Sequence, residues 1–151
     1  MTALAADRTD STELHGHLGK RYSYPVDAGA RIFQGAIVCI DTADQLAKPG
    51  ATSTTLVAVG IATDQADNTG GADGDIEVDV RANVWGMKNS SGADEITLDD
   101  VGKTCYIVDD QTVALTDGTA SRSAAGVVAD VDDSGSEGEV FVDIGPTVQP
   151  A

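Results

Sequence analysis

From Arg21 onward, short apolar stretches are separated by clusters of Gly, Asp, Asn and Ser, the pattern of an all-β domain. The stretches predict strands at Tyr22–Val26, Ala30–Phe33, Ala36–Asp41, Thr55–Thr63, Ile76–Val84, Thr104–Val108, Thr112–Leu115, Ala124–Val131 and Glu139–Ile144. Ile76, Val78, Val80, Ala82 and Val84 alternate with Glu77, Asp79, Arg81 and Asn83, so one face of that strand is expected to be buried and the other wet. In the last strand Val140, Val142 and Ile144 share a face, and Phe141 is placed to cover the opposite one. The Asp109-Asp110-Gln111 link is short enough for a hairpin that pairs its flanking strands directly. Residues 1–20 lack a sustained apolar period and read as an extended N-terminal arm. Residues 21–146 form the β-domain, and 147–151 a C-terminal tail.

The chain also resembles itself. GAIVCID (Gly35–Asp41), VGIATD (Val59–Asp64), an acidic glycine loop and DIEVDV (Asp75–Val80) are followed by GKTCYIVD (Gly102–Asp109), AGVVAD (Ala125–Asp130), another acidic glycine loop and GEVFVDI (Gly138–Ile144). Matching Gly35 to Gly102, Gly60 to Gly126 and Asp79 to Asp143 gives offsets of 67, 66 and 64 residues, the drift that changes in loop length produce. Two copies suit a small β-barrel or sandwich better than a solenoid, which needs three or more. Gly60 and Gly126, set among small or β-branched residues, are expected bend or bulge points.

Charge changes the picture next. The 151 residues carry 25 Asp plus Glu against 9 Lys plus Arg, a formal charge of -16. Residues 1–50 hold only -1 of it and residues 51–151 the other -15. Such a balance repels phosphate, so neither nucleic acid nor an anionic membrane is an expected partner. The longest apolar runs, such as Leu56–Ile61, fall far short of the roughly 18 residues of a membrane span. No basic stretch followed by an apolar core marks Met1–Asp10 as a secretion signal. Synthesis in a cytoplasm is expected.

Little chemistry stands out. Cys39 and Cys105 sit inside apolar runs and read as buried free thiols, without a Cys-x-x-Cys spacing or a supporting His. His15 and His17 could chelate a metal from a strand, but no third ligand accompanies them. The loop Asp64–Asp75 has the oxygen-rich character of a calcium site, yet it lacks the EF-hand order and departs from the calcium β-roll repeat after Ala72. The second acidic loop, Asp130–Glu139, reads as a solvated turn. No catalytic residue, metal site or cofactor is expected.

One likeness can be named. Asp99-Asp100-Val101-Gly102, Val108-Asp109-Asp110-Gln111-Thr112-Val113, Ala125-Gly126-Val127-Val128 and the closing strand, within Ile96–Gly145, resemble the capsid decoration, or cement, proteins of tailed bacteriophages. Gly35-Ala36-Ile37-Val38 and Val59-Gly60-Ile61-Ala62 look like the same family's first half, so the likeness covers about residues 21–146. It implies a small β-barrel or sandwich, β-tulip-like, that binds the outside of an assembled head and ties major capsid protein subunits together. It also implies a virion location on the outer capsid surface, no active site, and a homo-oligomer, a trimer favoured over a dimer because lattice sites are symmetric. On this reading the near-neutral N-terminal end docks and the anionic body meets water. Tyr22, Tyr24, Arg31, Phe33 and Trp85 are the candidate capsid or oligomer contacts. The alternatives are another virion part, such as a head-fibre base or tail component, and a small carbohydrate-binding β-domain, which the scarcity of aromatics disfavours.

Overall fold

The computed structural model describes residues 2–7, 20–133 and 139–148. The remaining positions include most of the expected arm with His15 and His17, the tip of the second acidic loop and the end of the tail, and they lie outside the described residues. The strands are β1 (Lys20–Pro25), β2 (Arg31–Ile32), β3 (Ile37–Asp41), β4 (Leu46–Pro49), β5 (Leu56–Ala62), β6 (Ala66–Asp67), β7 (Glu77–Asn89), β8 (Thr104–Ile107), β9 (Thr112–Ala114), β10 (Ala124–Asp132) and β11 (Glu139–Ile144). Short 3-10 turns occur at Gly92–Asp94 and Leu98–Asp100.

The fold is all-β and its centre is a closed barrel of five strands. Around the ring, β7 pairs with β11, β11 with β10, β10 with β8 and β8 with β9, and β9 returns to β7 in parallel at Lys88 and Asn89. A second set extends from the other half of β7, in the order β7-β5-β3-β4, with β1 on β7 as well. A single parallel bridge, Val26 to Ala47, draws β1 against β4. The orders β7-β5-β3-β4 and β11-β10-β8-β9 are the same, so the two sequence copies are two copies of one topology.

The equivalence extends to individual bonds. Gly35 and Gly102 have φ of 85° and 87°, a left-handed backbone that glycine adopts without strain. The Gly35 amide donates to the Ala62 carbonyl at 2.9 Å and the Gly102 amide to the Val128 carbonyl at 2.8 Å. Ala36 N–H reaches the Phe33 carbonyl, and Lys103 N–H the Asp100 carbonyl, across the same turn. Gly60 and Gly126 both lie beside shifts of strand register, as the bulge reading expected. A Cβ on Gly60 would meet the Arg81 carbonyl oxygen at 2.6 Å, and one on Gly126 would collide with the Asp143 carbonyl oxygen. Arg81 therefore stands where Asp143 does, two residues from the match read off the sequence. Because the shift is even, the predicted faces survive it.

Two apolar clusters follow. Trp85, Met87, Cys105, Ile107, Val113, Ala125, Val140, Val142 and Ile144 belong to the larger, which also takes in Ile37, Cys39, Leu56 and Ala58. The smaller holds Val26, Val38, Ala47, Val59, Val78 and Val80, with Leu4 and Tyr24 against its rim. In β3, Ile37 and Cys39 serve one cluster and Val38 the other, so the strand is covered on both faces and reads as an unbroken apolar run.

Several features go beyond the sequence reading, among them the short strand β6, which lies inside the expected loop Asp64–Asp75 and pairs with β2. Strand β4 was not expected: Leu46-Ala47-Lys48-Pro49 offers little apolar pattern, and its place comes from pairing with β3 after a tight turn in which Gln45 takes φ 65°. Strand β7 continues to Asn89, five residues past the predicted end, because its buried parity changes from Val78 and Val80 to Trp85 and Met87. The described part of the N-terminus packs down as a strap, with Leu4 N–H donating to Asp110 Oδ1 at 2.8 Å and Asp7 Oδ1 accepting from Gln34 N–H and Gln65 Nε2 at 3.0 Å each.

The glycine contacts predict that Gly126→Ala and Gly60→Ala each lower unfolding stability by about 1–3 kcal/mol, the usual cost of overpacking against atoms that cannot yield. Gly29→Ala, where a Cβ meets open space, costs less and reflects only the positive φ of 74°. Urea titrations of the three variants check the order.

Candidate functional site

The five contact candidates cluster in part. Tyr22 and Tyr24 project from the same face of β1 and stack, with centroids 6.0 Å apart and ring planes at 22°. Both are half-buried. The Arg31 guanidinium lies 4.8 Å over the Phe33 ring and within 3.7 Å of Asp67. Trp85 is 7% exposed, packs in the larger cluster and donates its indole N–H to the Arg81 carbonyl at 3.1 Å. Registers tie two of these residues together: Tyr22 sits opposite Val80 on β7, and Trp85 opposite Val142 on β11, so they occupy matching places in the two units.

A groove of about 380 Å³ runs beside β1, between Arg21–Ser23 and Thr63, Asp64 and Asp79. Thr63 is already committed, its amide donating to the Asp79 carbonyl at 3.0 Å. Arg21, Asp64 and Asp79 line the groove together with Val80.

The acidic loop between β6 and β7 is held by its own side chains. Asn68 is 3% exposed, and its Nδ2 donates to the carbonyls of Val26, Asp27 and Ala72. Asp67 accepts from the Thr69 amide, Asp73 from the Ala28 amide and Asp75 from the Ala72 amide, at 2.9–3.0 Å. Among the described residues, no group of three or more His, Cys, Asp or Glu is placed to hold a metal ion. Both cysteines are free and buried. Burial raises both thiols, Cys105 to about 12, so at neutral pH they stay protonated and poorly nucleophilic.

In the N-terminal third, charge is used internally. Lys48 Nζ donates to Asp41 Oδ2 at 2.8 Å and Asp44 Oδ2 at 2.6 Å, and Asp27 lies 3.9 Å away. The Lys48 hydrogen bond, then the Ala43 amide, hold the Asp41 carboxyl down at about 2. The same carboxylates push the Lys48 ammonium up.

A different surface lies between β7 and β8, where the sequence reading placed no contact candidate. Leu98 is 60% exposed and Val101 46%, the large apolar side chains most open to water among the described residues. Their loop is rigidly held. Ile96, fully buried, is bonded on both backbone groups by the Asn89 side chain at 2.8 and 3.0 Å. Asp100 accepts from the Thr97 amide and hydroxyl and, through its other oxygen, from Lys103 Nζ at 2.9 Å. The Lys103 bond, followed by the Thr97 amide, draws the Asp100 carboxyl below its ordinary range. Asp94 pairs with Arg122 at 3.1 Å, fastening the loop to the turn before β10.

No family model, curated protein or solved structure matches the chain. Among the described residues no helix is long and apolar enough to cross a membrane.

Two outcomes follow for the charged groups. Because Asp41 is depressed in the fold, its stabilisation is complete above about pH 4, the unfolded value, and is lost as pH falls toward 2. Lys48→Met therefore melts below the parent at neutral pH, and the gap narrows as the pH approaches 2; thermal melts across that range check it. Asp100→Ala frees the Thr97 amide, whose hydrogen exchange rises by about tenfold or more.

Proposed function

We propose that the chain is a virion structural protein that binds the outer surface of an assembled phage head and ties neighbouring major capsid protein subunits together. The observation that carries this reading is how the polar chemistry is spent: placed carboxylates cap backbone amides or pair with Lys48, Lys103 and Arg122, the thiols are buried, and what is left over is shaped surface. A closed barrel continued by a second unit of the same strand order supplies the rigidity a clamp needs. The likeness of Ile96–Gly145 to decoration proteins points the same way.

Such a protein works by linkage. Binding the assembled lattice and not the free subunits lowers the free energy of the lattice alone, so the head resists heat and expansion without any bond being made or broken. The net charge of -16 keeps decorated particles apart in solution. A symmetric oligomer, a trimer by preference, matches a symmetric lattice position.

Quantitative mass spectrometry of purified virions is expected to find hundreds of copies per particle, and heads made without the gene are expected to melt at a lower temperature than heads with it. A handful of copies per virion would instead favour a fibre base or tail component.

A further inference from the structure

The two units are alike in topology but not in what covers them. In the first, the turn before β3 is covered by the strap: the Gln34 amide donates to Asp7, and Leu4 packs on the rim of the smaller cluster. Val101 holds the position of Gln34 in the second unit, one residue before the matching glycine and inside the matching turn. There no described segment lies over it, and Leu98 and Val101 face water at 60% and 46% exposure. An exposed aliphatic pair on a loop pinned by Asn89, Asp100 and Arg122 has little conformational entropy left to lose on binding. The rim is acidic: Glu95 and Asp99 are exposed, and residues 91–103 contain four acids against Lys103. A second copy of this strongly anionic chain is therefore a poor match.

We propose that the Leu98–Val101 knob is a docking surface for an extended segment of another protein, one that brings an aliphatic side chain flanked by Lys or Arg, as Leu4 covers the first unit. Resting on the decoration reading, this partner is the major capsid subunit, and the contact falls on the anionic half of the chain, not on its near-neutral end.

The test uses full-length protein and heads purified from phage lacking the gene. Wild type binds these heads. Leu98→Asp with Val101→Asp binds at least about tenfold more weakly, as loss of a central apolar anchor does, while its circular dichroism and melting temperature stay those of wild type. Glu95→Lys with Asp99→Lys also weakens binding. A photo-crosslinking amino acid at position 98 joins to the capsid subunit. If wild type binds and the Leu98/Val101 variant binds equally, or position 98 crosslinks only to a second copy of the chain, the knob is not the contact and the decoration reading stands. If wild type fails to bind the heads at all, both readings fall.

Discussion

Strand β7 has to belong to two sheets at once, and the rest of the molecule is arranged around that demand. At about 3.3 Å per residue its 13 residues span roughly 43 Å, long enough for Glu77–Ala82 to pair with β1 while Asn83–Lys88 pairs with β11. Each half must turn its apolar side chains toward a different core. The sequence accomplishes this by changing parity, from Val78 and Val80 to Trp85 and Met87, with half-buried residues from Arg81 to Val84 at the crossing. The same strand therefore plays the part of β11 for the first unit and the part of β1 for the second.

Sharing a strand leaves the two units unable to move independently. Other bonds stitch them directly, Ile37 N–H to the Asp110 carbonyl and the Thr52 hydroxyl to the Val108 carbonyl, and the strap joins both by reaching from Asp110 to Gln34. Rigidity of this kind supports the proposed role of a part that transmits load between neighbours. It also explains why a short apolar pair on one loop can matter: a surface held still by buried Ile96 and the Asn89 side chain retains its shape when a partner arrives.

Much of this fold is legible in the sequence because period-two alternation and turn chemistry are local signals. The strands at Tyr22–Val26, Thr55–Thr63 and Glu139–Ile144 are placed within a residue or two, and Gly35, Gly60, Gly102 and Gly126 mark the duplication. What escapes is what depends on distant partners. Leu46–Pro49 becomes a strand because β3 lies beside it, and the far end of β7 is hidden by its change of face. The surface was less legible than the core. Of the contact candidates chosen by residue type, Trp85 is packed inside and Arg31 is engaged with Phe33 and Asp67, while the most exposed large aliphatic side chains among the described residues are Leu98 and Val101. Exposure is set by what neighbours a side chain in space, and residue type alone does not encode it.

The outer strands carry a last meaning. Along their described residues β1 pairs with one half of β7 and β11 with the other, so each serves a single unit where β7 serves two. A third unit would need β11 to run on as β7 does, and Gly145 and Pro146 stop it after Ile144. The architecture is in principle one that grows unit by unit, each new unit borrowing a strand from its neighbour.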